Sequence, residues 1–195
     1  MKTFKNIMSW VVPIAIGLAI ALIIKTFWFT MVKVDGTSMY PNLQNNERII
    51  ELKTGEIKRN KVVVFNAYGV DKNQPVTKST QYVKRVIGLP GDKIEYKNNG
   101  KLYVNGRYQN QNYITKYQRT QGTLDLKLPE AKGVSIGSNK VFTVPKNKYF
   151  VLGDHRSVSN DSRYYGFVPR KKITGIAKVF FWNKKKNVIN NYPAN

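Results

Sequence analysis

From Ile7 to Ile24 the chain runs for 18 residues without a charged side chain, and this segment constrains everything that follows it. An α-helix rises ~1.5 Å per residue, so about 20 apolar residues cross a hydrocarbon layer ~30 Å thick. Trp10 near one end and Phe27-Trp28-Phe29 beyond the other stand where aromatic belts form. Pro13 and Gly17 are tolerated in a membrane helix. The competing assignment is a cleaved export signal, because Lys2 and Lys5 precede the apolar core. No small-x-small cleavage site follows, since Lys25 to Val34 is aromatic, basic and β-branched, and a retained anchor is expected. The expected division is a short tail over residues 1–6, an anchor over 7–29 and a folded domain over 30–195. Lys2 and Lys5 on one side against Lys25 and Lys33 on the other leave the positive-inside balance nearly even, so charge alone does not orient the segment.

The domain beyond Val34 carries 29 basic and 11 acidic residues, a charge of +18, so the basic character belongs to the folded part. Such a surface suits nucleic acid, an anionic membrane face or an anionic wall, or is simply solvated. Apart from Arg170-Lys171-Lys172 and Lys184-Lys185-Lys186 the cations are scattered, and no base-reading motif is present, so nucleic acid is not an expected partner. No cysteine and a single histidine remove disulfides, thiol catalysis and Cys- or His-rich metal sites; no metal or cofactor is expected.

Past the anchor the expectation is mainly β. Short apolar runs occupy Arg48–Leu52, Val62–Phe65, Tyr82–Ile87, Val141–Val144, Tyr149–Leu152 and Ile173–Trp182, with no long helical periodicity between them. Asp92–Lys97 and Lys101–Val104 flank Asn98-Asn99-Gly100, where Asn-Gly supplies the positive φ values of a tight turn, so a projecting hairpin is expected. Residues 107–139 are polar and read as a variable insertion or smaller lobe.

Three polar segments interrupt this framework. Ser38 lies in Gly36-Thr37-Ser38-Met39-Tyr40-Pro41-Asn42, soon after the anchor. Lys84 lies in Tyr82-Val83-Lys84-Arg85-Val86-Ile87-Gly88-Leu89-Pro90-Gly91-Asp92, where strand alternation puts Tyr82, Lys84 and Val86 on one face. A serine hydroxyl needs a base, and lysine serves only when desolvation lowers its pKa by several units. The third segment, Gly153-Asp154-His155-Arg156-Ser157-Val158-Ser159-Asn160-Asp161-Ser162-Arg163, packs three serines, two acids and two arginines into eleven residues. His155 offers a Ser-His-Asp triad with Asp154 or Asp161 in principle, but adjacent loop residues such as Asp154 and His155 meet poorly in that geometry.

Together these segments, their order and the preceding anchor resemble the bacterial type I signal peptidase (leader peptidase) family over nearly the whole chain except the middle insertion. The resemblance implies Ser38 as nucleophile in Ser-Met-x-Pro and Lys84 as general base in Lys-Arg-Val-x-Gly-x-Pro-Gly-Asp. It implies Ser159 as the serine that orients the base, Asp161 and Arg163 as a supporting ion pair, and Met39 with Tyr82 along the substrate groove. The family often has Asn where this chain has His155, and Thr where it has Asn42. Some members carry an oxyanion-binding Ser at the Gly36 position, which leaves the Ser38 backbone N–H as the main donor here. The implied function is a membrane-bound Ser/Lys endopeptidase that removes signal peptides from exported preproteins after small residues at the first and third positions before the bond. The implied location is the cell membrane, single-pass, with the N-terminus cytoplasmic and the domain on the outer face against anionic lipid. Apolar Met39, Tyr40 and Leu43 are expected to dip into that interface. Two rivals remain. Self-cleaving repressors share a Ser/Lys dyad but are cytosolic with a DNA-binding domain, and a non-catalytic anchored basic module would bind wall polymer or nucleic acid.

Overall fold

The apolar run forms helix α1, Lys2–Phe27, in a computed structural model that describes residues 2–124 and 129–193. Its Met8–Phe27 stretch is 20 residues long and none of it is buried against the rest of the molecule, so at 1.5 Å per residue it spans ~30 Å. Lys53 Nζ donates to the Thr26 carbonyl at 2.7 Å, placing a cation over the C-terminal turn where helix carbonyls lack partners. Strand β1, Phe29–Lys33, starts two residues after the helix ends, so the helix leads straight into the edge of a sheet.

The remaining strands are β2 (Arg48–Leu52), β3 (Val62–Asn66), β4 (Gln81–Gly88), β5 (Lys93–Tyr96), β6 (Leu102–Val104), β7 (Arg107–Gln109), β8 (Phe142–Thr143), β9 (Lys148–Leu152), β10 (Val168–Pro169) and β11 (Ile173–Lys178). They form a seven-stranded sheet ordered β1-β2-β11-β3-β4-β9-β10 and a four-stranded sheet ordered β7-β6-β5-β8. Every pairing is antiparallel. β3 explains why a short unbroken apolar run can be a strand: both of its faces are covered. Val62 and Val64 pack with Met39, Leu43, Ile49 and Ala177 on one side. Val63 and Phe65 pack with Val86, Val151 and Ile173 on the other. A third cluster joins Ile94, Tyr96 and Leu102 of the small sheet to Ile87, Phe150 and Leu152 of the large one.

Four expectations change in detail. The run 173–182 leaves the sheet at Lys178, and Phe180 stacks on Trp182 with ring centroids 4.6 Å apart. The run 141–144 pairs only at Phe142–Thr143. Met39 and Leu43 are core residues, and only Tyr40 of that trio is exposed, so the first two do not reach a membrane interface. The expected hairpin does form, but it sits at the centre of the four-stranded sheet, and Gly100 alone in its turn has positive φ, at 81°. Lys97 N–H bonds the Lys101 carbonyl at 2.9 Å and Gly100 N–H bonds the Lys97 carbonyl at 2.8 Å, a three-residue loop closed by a left-handed residue.

The polar middle segment holds a helix the sequence pattern did not signal, α2, Lys116–Leu124. It has no apolar stripe, and its carbonyls are held from outside instead. Tyr96 Oη donates to the Arg119 carbonyl at 2.7 Å, and Arg163 Nη1 to the Gly122 carbonyl at 3.2 Å. Residues 125–128 of this segment lie outside the described residues. Gly100 lies against α2 so closely that a Cβ there would stand 2.8 Å from Arg119 and Thr120 backbone atoms. Gly106 also has positive φ, 77°, but faces open space.

Alanine at either glycine carries the left-handed backbone penalty of ~1–2 kcal/mol. Only Gly100→Ala must also displace α2, so it should lower the melting temperature clearly more than Gly106→Ala. Equal shifts would show that the turn does not bear on the helix.

Candidate active site

Ser38 is carried on a loop pinned at both ends. Val34 exchanges backbone hydrogen bonds with Glu47 and Asn46, and Met39 is buried in the core. Between them Gly36 adopts φ 88°, which a glycine allows without a Cβ clash, and its N–H bonds Asn45 Oδ1 at 2.9 Å. The chain then turns through Tyr40 N–H to the Thr37 carbonyl, at 3.0 Å, and presents Ser38 at the tip.

Lys84 comes from β4, opposite Val63 of β3, on the face that also carries Tyr82. Its Nζ lies 2.8 Å from Ser38 Oγ and 5.2 Å from the Tyr82 ring centroid. The side chain is 4% exposed. Burial disfavours the ammonium form and lowers the Lys84 pKa to about 8, with Arg163 pushing the same way against the opposing pull of Asp161, Asp154 and Asp71. Roughly a tenth of the molecules then hold a neutral amine at pH 7, against ~0.04% for a free lysine. A neutral amine at hydrogen-bond distance from a serine hydroxyl can accept its proton.

Arg85, the next residue, points to the opposite face and is fully buried. Its Nε and Nη2 hold Asp154 Oδ1 and Oδ2 at 2.9 and 2.7 Å, and its guanidinium lies 4.1 Å over the Tyr113 ring. Asn42, at a position where the family often has Thr, is a tie in this network: Nδ2 donates to Asp154 Oδ2 at 2.9 Å and to the Tyr113 carbonyl at 2.7 Å. The Ser38 loop, strand β4 and the third segment are thus locked by one carboxylate.

Asp161 and Arg163 form a doubly hydrogen-bonded pair, Nε to Oδ1 at 2.8 Å and Nη2 to Oδ2 at 2.9 Å, with both side chains fully buried. Burial alone would raise the Asp161 carboxyl, but the Arg163 guanidinium, the Gly153 N–H and Lys84 hold it below its usual range. The two residues do not share an extended segment; Asp161 caps a short helix, α3, Ser162–Tyr165, and also accepts from Arg163 N–H. Arg163 Nη2 further bonds the Arg156 and Ser159 carbonyls, so the pair holds the loop at three points. Ser159, which the resemblance gives as the serine that orients the base, is buried, and its Oγ makes no hydrogen bond among the described residues, to Lys84 included.

His155 does not build a triad. Asp154 is committed to Arg85 and Asp161 to Arg163, while the imidazole Nδ1 faces the Thr37 carbonyl at 3.2 Å. Arg156, Asp71 and Asn160 carried no signal in the sequence beyond their charge or polarity. Arg156 is a fully buried cation satisfied by the Gly153 carbonyl, Tyr96, Gln111 and Tyr113, which ties the middle segment to the loop. Asp71 accepts from Tyr82 Oη at 3.0 Å and from Asn160 Nδ2. Burial first, and then this carboxylate, push the Tyr82 phenol up to about 12, so it stays a neutral donor.

Ser38 and Lys84 open on a cleft of about 580 Å³. Residues 32–36 form one wall and 79–83 the other, with Met39, Val158 and Asn160 between them. Gly36, Met39 and Tyr82 all line it. Among the described residues no cluster of metal-ligating side chains is present.

The buried ion pair gives a direct test of the frame. Removing one partner leaves an uncompensated buried charge, which costs about 3–5 kcal/mol, whereas removing both charges costs less. Asp161→Ala should therefore lower thermal stability strongly, and Asp161→Asn/Arg163→Gln should regain part of it. Additive losses in melting experiments, or a neutral Asp161→Ala, would contradict a buried brace.

Residues 7–182 match the signal peptidase, peptidase S26, family. Signal peptidase IB of Staphylococcus aureus (strain MRSA252) is 38% identical over 196 residues, covering 98% of this chain and 97% of that protein. Signal peptidase I P of Bacillus subtilis subsp. natto is 39% identical over 182 residues, covering 91% and 90%. A crystal structure of a signal peptidase I from Enterococcus faecalis V583 aligns with a TM-score of 0.43 at 28% identity, over 63% of this chain and 97% of that one. The chain belongs to the peptidase S26 family and is a type I signal peptidase, a serine peptidase that processes signal peptides.

Proposed function

We propose that the enzyme is a membrane-anchored endopeptidase in which Ser38 is the nucleophile and Lys84 the general base. The observation that carries this reading is the 2.8 Å contact between Lys84 Nζ and Ser38 Oγ, made by a lysine whose burial lowers its pKa to about 8. Neutral Lys84 takes the Ser38 proton as Oγ attacks the scissile carbonyl, and the Ser38 N–H supports the oxyanion. Lys84, now an ammonium, returns its proton to the departing amine, leaving an ester on Ser38. Water then gives a proton to Lys84 and attacks the ester, and Lys84 returns that proton to Ser38 Oγ as it leaves, which releases the new carboxyl group and restores both residues. Gly36 has no side chain to add to the oxyanion site. Asp161 and Arg163 brace the loop beside the base through the Gly153 N–H and the Arg156 and Ser159 carbonyls.

Preprotein substrates follow from the family, and the cleft supports an extended peptide lying between its two walls. Val32, Val34 and Val83 line it, and shallow apolar pockets there would take small residues at alternate positions, the first and third before the bond. α1 supports anchoring, with the N-terminus inside and the catalytic domain outside. Anchoring confines enzyme and apolar signal segment to one surface and so raises their effective concentration. The +18 domain favours anionic headgroups.

In full-length enzyme in detergent micelles, Ser38→Ala and Lys84→Ala should each lower cleavage of a signal-peptide substrate by a factor of roughly 10³ or more, and the double variant should be little worse. Lys84→Ala within tenfold of wild type would remove lysine from the base role.

A further inference from the structure

The Ser38 N–H donates to no acceptor among the described residues, which leaves it available to an oxyanion but also leaves its direction to be set by other contacts. Ser38 N–H and the Thr37 carbonyl belong to one peptide unit. That unit is planar and trans, so the two point in opposite directions, and whatever holds the carbonyl aims the N–H. The Thr37 carbonyl accepts Tyr40 N–H at 3.0 Å within the turn, and His155 Nδ1 lies 3.2 Å from the same oxygen. A carbonyl oxygen only accepts, with two lone pairs, so this contact is attractive only when Nδ1 carries the proton. His155 N–H also bonds the Ser38 carbonyl at 3.0 Å, fixing the next peptide unit from the same residue. Tyr40 tilts against the imidazole with ring centroids 5.8 Å apart, which limits rotation of the ring.

We propose that His155 is a positioning residue for the oxyanion site, its Nδ1–H holding the Thr37 carbonyl so that the Ser38 N–H points into the cleft. The inference rests on Ser38 being the nucleophile and its N–H the oxyanion donor. Filling both lone pairs of the Thr37 oxygen also polarises the peptide unit and makes its N–H a stronger donor. Asn Nδ2 sits at the same branch of the side chain as His Nδ1 and carries hydrogens in every protonation state. Asparagine at 155 therefore reproduces the contact, and alanine or leucine removes it while leaving the backbone bond to the Ser38 carbonyl in place.

The chain has one histidine, so incorporation of 15N-histidine into the full-length protein in detergent micelles yields one imidazole to observe. Titrated to its neutral form, the ring should be protonated at Nδ1; a ring protonated at Nε2 overturns the proposal. In steady-state cleavage of a signal-peptide substrate, His155→Ala should lower kcat about tenfold with little change in KM, less than the 10²–10³ lost when an oxyanion donor itself is deleted. His155→Asn should restore most of that loss. Wild-type kcat in His155→Ala, or Asn no better than Ala, contradicts the assignment. Ser38→Ala run in parallel separates the two readings: if it retains activity the nucleophile assignment has failed, and if it is inactive while His155→Ala is unimpaired only the positioning role has failed.

Discussion

The hydrogen bond between Lys84 and Ser38 can act as a catalytic contact only because Lys84 is kept out of water, and most of the surrounding structure bears on that condition. A lysine on a solvated strand face would be an ammonium with no capacity to accept a proton. Here Val63 of β3 pairs with it, the Tyr82 ring lies 5.2 Å from its head, and the side chain is buried. Desolvation is the dominant influence on its pKa, and the nearby charges partly cancel: Arg163 opposes the ammonium while Asp161, Asp154 and Asp71 favour it. Each of these acids is itself bound, Asp154 to Arg85, Asp161 to Arg163 and Asp71 to Tyr82 and Asn160. The carboxylates are thereby held where they cannot become direct partners of Lys84, which would raise its pKa out of the useful range.

This network also accounts for the arrangement of the chain. The sheet brings Lys84 and Arg85 to opposite faces of one strand, and both faces are used: one to meet Ser38, the other to clamp Asp154. The small sheet supplies Tyr96 and the loop after it Gln111 to Arg156, and α2 supplies the Gly122 carbonyl to Arg163. The polar middle segment is thus bonded to the catalytic loop through its described residues. α1 joins β1 almost without a linker, and the cleft lining begins at Val32, so apolar helix, sheet edge and cleft lie on one continuous stretch of chain.

Much of the fold could be read from sequence because it rests on local patterns. Short apolar runs marked the central strands, Asn-Gly marked the hairpin and an uncharged run marked the helix. What escaped was non-local. α2 has no apolar stripe, and its carbonyls are satisfied by Tyr96 and Arg163 from distant segments. Likewise Ser38, Lys84, Asp161 and Arg163 stood out as reactive or charged groups in dense motifs, whereas Asn42 and Arg156 matter through partners 71 to 112 and 43 to 60 residues away, respectively, which no local pattern records. His155 was legible as a departure from a motif but not as a contact to the Thr37 carbonyl, because that contact exists only once the two loops meet.

The central claim is that burial turns Lys84 into a base at near-neutral pH, and kcat/KM against pH tests it in the free enzyme. The neutral form is the active one and its pKa is lowered, so the rate should be small well below pH 8, rise through an apparent pKa of about 8 and level off above it. A rate that keeps climbing through about pH 10, the range of an ordinary lysine, would contradict the account.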